Sequence, residues 1–321
     1  MMGRIYPILG LGSFVYSVIH WPLLILMMVH MWSLSPHVIG LVIVLYFLRR
    51  RTTPWVPLTD FVWRYISEQH RIHYMGDDVP VIHDKPTIHL LFPHGMVCVE
   101  QMALLVDLMK RQRAAGIDTG RNVLMVDKVL YAIQPIAVVI LQLGMGLSIL
   151  PLKHVLIQRH LRSRVGDVFV MPGGFAETVG YTDAVQTIFT GTVGYWTRQC
   201  KEHGYNLRIS HMYNGSSMIA QSGYGMSFRM WLANTYKIAI VLPTGIRDVE
   251  KLVVRTWEYE PEDIPENIAG AIQHFITVDR NSPDFPVPSK EYVILDQKLK
   301  PIVDDGQLVI QKPNGQLMTD S

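Results

Sequence analysis

The sequence predicts an α/β domain, a mostly parallel sheet flanked by helices, preceded by an N-terminal transmembrane helical hairpin. Two observations carry that prediction. From Arg49 onward, short apolar runs bounded by Gly and Pro alternate with longer stretches of helical periodicity, the pattern of a parallel sheet with crossover helices. Before Arg49, charge vanishes: Ile5 to Leu48 is a run of 44 residues without Asp, Glu, Lys or Arg. The 273 residues from Arg49 onward carry 55 charges, close to the density of a globular domain. The whole chain of 321 residues is 17% charged and 49% apolar, against about 25% charged for soluble domains, which argues against a freely soluble enzyme. A net charge of +2, with 29 basic and 27 acidic residues, gives no basic excess for gripping nucleic acid.

Residues 1–48 read as the membrane hairpin and 49–321 as the α/β domain. A spanning helix needs about 20 apolar residues, so the uncharged stretch holds two legs with a turn at Ser33 to His37. The second leg, Val38 to Leu48, is short for a full span, and tilting or partial insertion accommodates it. Trp21, Trp32, Tyr46 and Trp55 are spaced as interfacial anchors, and Arg49 to Arg51 place that end in the cytosol. The stretch is too long, and too poor in N-terminal charge, for a cleaved signal peptide.

In the domain, strands are expected at Thr87–Phe92, Asn122–Val126, Asp167–Met171, Asn206–Tyr213, Lys237–Leu242 and Leu252–Trp257. Helices are expected at Met96–Arg113, where Met102, Leu105, Val106 and Met109 form one stripe, and at Tyr131–Leu141, Thr182–His203 and Glu266–Val278. The tail after Ser282 is expected to wrap the surface or fray. Val129 to Leu150 is uncharged over 22 residues, but Pro135, Gly144 and Gly146 interrupt it, so it reads as a buried helix with a strand rather than a third span.

Two motifs carry candidate chemistry. In Leu90-Leu91-Phe92-Pro93-His94-Gly95 a buried strand ends at a proline, and His94 sits at the turn into the next helix. A neutral imidazole there can act as general base on a hydroxyl, with Gly95 leaving room for substrate or an oxyanion. In Val170-Met171-Pro172-Gly173-Gly174-Phe175-Ala176-Glu177 a second strand runs into a glycine turn whose amides can face an anion, followed by a carboxylate. Sites in open α/β sheets form at such carboxyl ends. Glu177 either orients a hydroxyl substrate or caps its helix. Cys98 and Cys200 make no disulfide framework, and His70 with His73 lacks a partner at ligand spacing, so no metal is expected.

Together, the Pro-His-Gly block, the Pro-Gly-Gly-x-x-Glu block about eighty residues later and the N-terminal hairpin resemble the type-2 diacylglycerol acyltransferase family. That family is similar to the wider glycerolipid acyltransferases with their His-x4-Asp motif. Further likenesses are His203-Gly204 entering a strand, Tyr213-Asn214-Gly215 at its end, and Val241-Leu242-Pro243-Thr244-Gly245 with Leu252-Val253-Val254 after it. Relatives usually carry His-Pro-His-Gly, and here Phe92 replaces the first histidine. The superfamily's acid falls on Val99, one residue before Glu100, which reads as lying on the solvated face of its helix.

The resemblance implies transfer of a fatty acyl group from acyl-CoA, a co-substrate with no further cofactor, to a neutral glycerolipid or alcohol, as in triacylglycerol biosynthesis. His94 would be the general base, Glu177 would position the acceptor, and Gly95, Pro172, Gly173 and Gly174 would line the site. Lys153 and Arg159, with Arg162 and Arg164 nearby, would meet the phosphates of acyl-CoA. It also implies an endoplasmic reticulum membrane or lipid droplet, with the domain facing the cytosol, membrane lipids as partners, no nucleic acid, and room for a homo-oligomer. Two alternatives stay open: a lysophospholipid or glycerol-phosphate acceptor, and an inactive lipid-binding or tethering protein on the same fold. Phe175 to Gln186 contains no Lys or Arg, which favours a neutral acceptor.

Overall fold

The computed structural model describes residues 56–75, 79–82, 84–92, 99–128, 131, 135–173, 185–213, 219–221, 224–236, 240, 242–246, 251–280, 291–295, 301–304, 307–311 and 317–318, together with Val44. The expected hairpin therefore lies outside the described residues apart from Val44. Among the described residues, no helix is long and apolar enough to cross a membrane.

A seven-stranded sheet forms the centre. In chain order its strands are β1 (Arg71–Tyr74), β2 (Thr87–Phe92), β3 (Val123–Val126), β4 (Ser148–Pro151), β5 (Val168–Val170), β7 (Asn206–Met212) and β10 (Lys251–Tyr259). Across the sheet they run β1-β10-β7-β2-β5-β3-β4. β7, β2, β5, β3 and β4 are mutually parallel, whereas β10 is antiparallel to β7, with β1 parallel to β10. β2 sits at the middle with all six residues buried, which is why it reads as a continuous apolar run instead of an alternating one.

Helices cover both faces. Helix α1 (Val56–Gln69), α2 (Val99–Ala114) and α3 (Pro135–Met145) pack Trp63, Ile66, Leu104, Leu105 and Met109 onto one face against Leu91, Leu124, Phe169 and Val254. On the other face, α4 (His154–Ser163), α5 (Val193–His203) and α7 (Ile268–Arg280) cover Ile88, Leu90, Val168 and Ile209 with Ile157, Leu161, Trp196 and Ile272. The uncharged 129–150 stretch becomes α3 followed by β4, as its interruptions predict. Eleven helical residues extend only about 16 Å, half a bilayer's apolar thickness. Trp63 Nε1 donates to the Met145 carbonyl at 3.0 Å and Thr59 Oγ1 to that of Leu143 at 2.9 Å, so α1 caps the end of α3.

Two expectations are corrected. The stretch 182–203 is not one helix: β6 (Val185–Phe189) precedes α5, with Thr190-Gly191-Thr192 between them. Of the expected strand Lys237–Leu242, the described Ile240 and Leu242 lie outside any ladder. Strand β9 (Pro243–Ile246) instead follows, paired with β8 (Ile219–Gln221) in a separate two-stranded sheet. The tail contains β11 (Glu291–Leu295), paired in parallel with β6, then a meander of β12 (Pro301–Asp304), β13 (Gln307–Gln311) and β14 (Leu317–Met318). Helix α6 (Met226–Tyr236) lies between β8 and β9.

Candidate active site

The two motifs leave the sheet side by side. β2 and β5 are adjacent and parallel, with Leu90 opposite Val170, so continuing the register sets Phe92 level with Pro172. Phe92 itself lies opposite His211 of β7. The strand ends leading to His94 and to the glycine turn thus share one carboxyl edge, where open α/β sheets form their sites. Pro172 is buried and Gly173 has φ 91°, in the left-handed region open to glycine without Cβ strain. His94, Gly95, Gly174 and Glu177 fall outside the described residues.

The basic candidates separate along α4. β4 ends at Pro151, so Lys153 stands exposed at the carboxyl edge, just before the first turn of α4. Arg159 is exposed about 9 Å further along the helix. The fold takes Arg164 to the opposite, amino edge, where its guanidinium lies beside Gly204 at the entry to β7; it cannot share an anion with Lys153. Helices α4 and α5 both start at the carboxyl edge, where His154 Nδ1 approaches Tyr195 Oη at 3.4 Å.

A group of residues that the sequence motifs do not single out also occupies this edge. His211 and Tyr213, at the end of β7, are buried with rings in an edge contact at 4.6 Å between centroids. Tyr213 Oη donates to Asp279 Oδ2 near the end of α7. Arg255 of β10 lies opposite His211, holds its Nε 3.6 Å from Asp279 Oδ1 and donates through Nη1 to the Met75 carbonyl at 3.1 Å. Burial pushes the His211 imidazole down to about 3, so it is neutral at physiological pH. The group ties β7, β10 and α7 together one strand away from the end of β2. One signal for it was present: an arginine inside the apolar run Leu252–Trp257 needs a buried partner. Nothing in the sequence names Asp279 as that partner.

At the amino edge a second polar network is structural. His89 Nε2 meets Asp167 Oδ2 at 2.7 Å; Asp167 also accepts from the Thr87 amide at 2.8 Å and from Gln112 Nε2, while Asn122 Nδ2 donates to Gln112 Oε1 at 2.7 Å. The network joins β2, β3, β5 and α2. Burial lowers the His89 pKa, against the opposing pull of Asp167. His89 is fully enclosed, with Phe169 stacked on its ring at 4.4 Å, so no substrate reaches it. Glu100 corrects another expectation: it is 4% exposed in the first turn of α2, not on a solvated face.

Searches against protein-family models, curated proteins and solved structures found no match.

Proposed function

We propose that the chain is a membrane-bound O-acyltransferase that moves a fatty acyl group from acyl-CoA to the hydroxyl of a neutral glycerolipid or alcohol. The observation that supports it most directly is the adjacency of β2 and β5, whose carboxyl ends lead into Pro93-His94-Gly95 and Pro172-Gly173-Gly174 at one edge. His94 takes the acceptor's hydroxyl proton as that oxygen attacks the thioester carbonyl. The tetrahedral oxyanion is stabilised by amides of the glycine turns. Its collapse expels the CoA thiolate, which recovers the proton from the imidazolium and leaves as free CoA. Lys153 meets CoA phosphates beside the start of α4, and Glu177 positions the acceptor. The uncharged stretch Ile5–Leu48, which the sequence reads as a hairpin, and the resemblance of the two motifs to the type-2 diacylglycerol acyltransferases support a cytosol-facing site on an internal membrane.

The test is acyl transfer from radiolabelled acyl-CoA in membranes carrying the wild-type chain or His94→Ala at equal expression, with the lipid products separated on one plate. A product band that disappears in the variant is the expected result, and its mobility identifies the acceptor. Full activity in a folded His94→Ala protein would overturn the mechanism. Absence of product from the wild type with neutral and phosphorylated acceptors alike would overturn the transferase reading in favour of lipid binding or tethering.

A further inference from the structure

Helix α6 distributes its residues the wrong way round for a helix facing water. Between Arg208 and Lys237 the only Asp, Glu, Lys or Arg is Arg229, and Arg229 is buried at 3% exposure beside Met230 and Ala233. The opposite stripe follows helical spacing through Phe228, Trp231 and Thr235, with Tyr224 in the turn just before the helix. Tyr224 is 80% and Phe228 55% exposed, with the Phe228 ring stacked on Trp231 at 5.8 Å. A surface helix in water carries its charges outside and its apolar stripe inside. Tyr224 and Phe228 exposed beside a half-buried Trp231, in a stretch whose single charge is buried, are a composition that favours the headgroup level of a bilayer.

Topology sets where this helix belongs. The chain leaves the sheet at the end of β7 and re-enters at Lys251; because β10 is antiparallel to β7, both points lie on the carboxyl edge. The connection bearing α6 therefore belongs to the same edge as the two motifs. We propose that the Phe228–Trp231 face of α6, with Tyr224 in the turn before it, docks on the lipid bilayer and holds the carboxyl edge of the sheet against it. The occupant is a membrane in preference to a protein because the face offers aromatic rings without a charge to select a partner, on a chain whose Ile5–Leu48 stretch already calls for a bilayer.

This surface does not depend on the reaction proposed above; a chain without transferase activity would dock equally. In the full-length chain with Cys98→Ser and Cys200→Ala, an environment-sensitive fluorophore is attached at Phe228→Cys, reconstituted in phosphatidylcholine vesicles, and challenged with acyl-chain doxyl lipid or aqueous iodide. Glu202→Cys, exposed at the end of α5, serves as the reference position, and Tyr224→Cys repeats the measurement should the first variant fail to fold. The expected result is emission lowered at least about two-fold by doxyl lipid at position 228 and unchanged at position 202. Quenching of the 228 label by iodide alone would overturn the proposal. So would protection from both quenchers, which would assign the face to a second copy or another protein.

Discussion

Tyr213 concentrates the chemistry of the carboxyl edge in one hydroxyl. Tyr213→Phe keeps the ring against His211 but takes a donor from the buried Asp279 carboxylate, so a loss of about 1–3 kcal/mol is expected, read as a drop in thermal midpoint in detergent micelles. An unchanged midpoint would mean that the hydroxyl contributes nothing. Gly173→Ala forces a Cβ into a φ of 91° and should cost about 1–2 kcal/mol while disordering the turn beside Phe92; equal stability and activity would contradict the left-handed turn. His211 makes a prediction about pH. Its folded pKa lies near 3, below the usual 6.5, so the unfolded chain binds the proton more readily and stability falls as pH drops from about 6.5 towards 3. Tyr213 packs against this ring, and Arg255 and Asp279 bond to one another and to Tyr213 and Met75; all three remain in His211→Phe, which should show a shallower loss between pH 7 and 4 in urea titrations. An unchanged slope would show that the folded imidazole takes up its proton as readily as the unfolded one, and that burial does not lower its pKa.

Among elements, β2 was legible to the residue because it is apolar on both faces and a proline ends it. β6 was missed because its five residues adjoin a longer helical pattern, and only Thr190-Gly191-Thr192 marks the break. In the apolar run 237–242 the reverse holds at the described residues, Ile240 and Leu242, which lie outside any ladder. A strand exists where a partner exists, and β8 offers only Ile219 to Gln221, opposite Pro243 to Ile246. The site divides in the same way. Its two motifs were legible because Gly and Pro punctuate them, whereas His211, Tyr213, Arg255 and Asp279 meet only through strand register and the return of α7. The ends of α4 and α5 supply a test at this scale. Arg164 closes α4 at φ 49°, a conformation unfavourable to residues with a Cβ, whereas Gly204 closes α5 at φ 70°. Arg164→Gly should stabilise by about 1 kcal/mol and Gly204→Ala should destabilise by as much or more, since the new Cβ meets Arg164 Nη2 at 3.2 Å. Paired denaturation midpoints moving in the same direction would refute the cap assignment.

For the whole molecule, chain order and spatial order disagree. α1 runs from the amino edge at Val56, where Asp60 pairs with Arg113 near the end of α2, to the carboxyl edge at Arg71. β11 is the sole partner of β6 among the described residues, so a chain ending at Asn281 should leave the β6 edge open and associate, visible as a shift to larger species in size exclusion. A truncated chain running as the full-length one does would remove that role from the tail. The same pairing has a consequence during synthesis. About a hundred residues separate β6 from β11, so at roughly 5–20 residues per second β6 emerges from the ribosome many seconds before the strand that covers it. Through that interval its bare edge is open to any neighbouring nascent chain, and a cell making this protein needs a chaperone or a nearby membrane to occupy it.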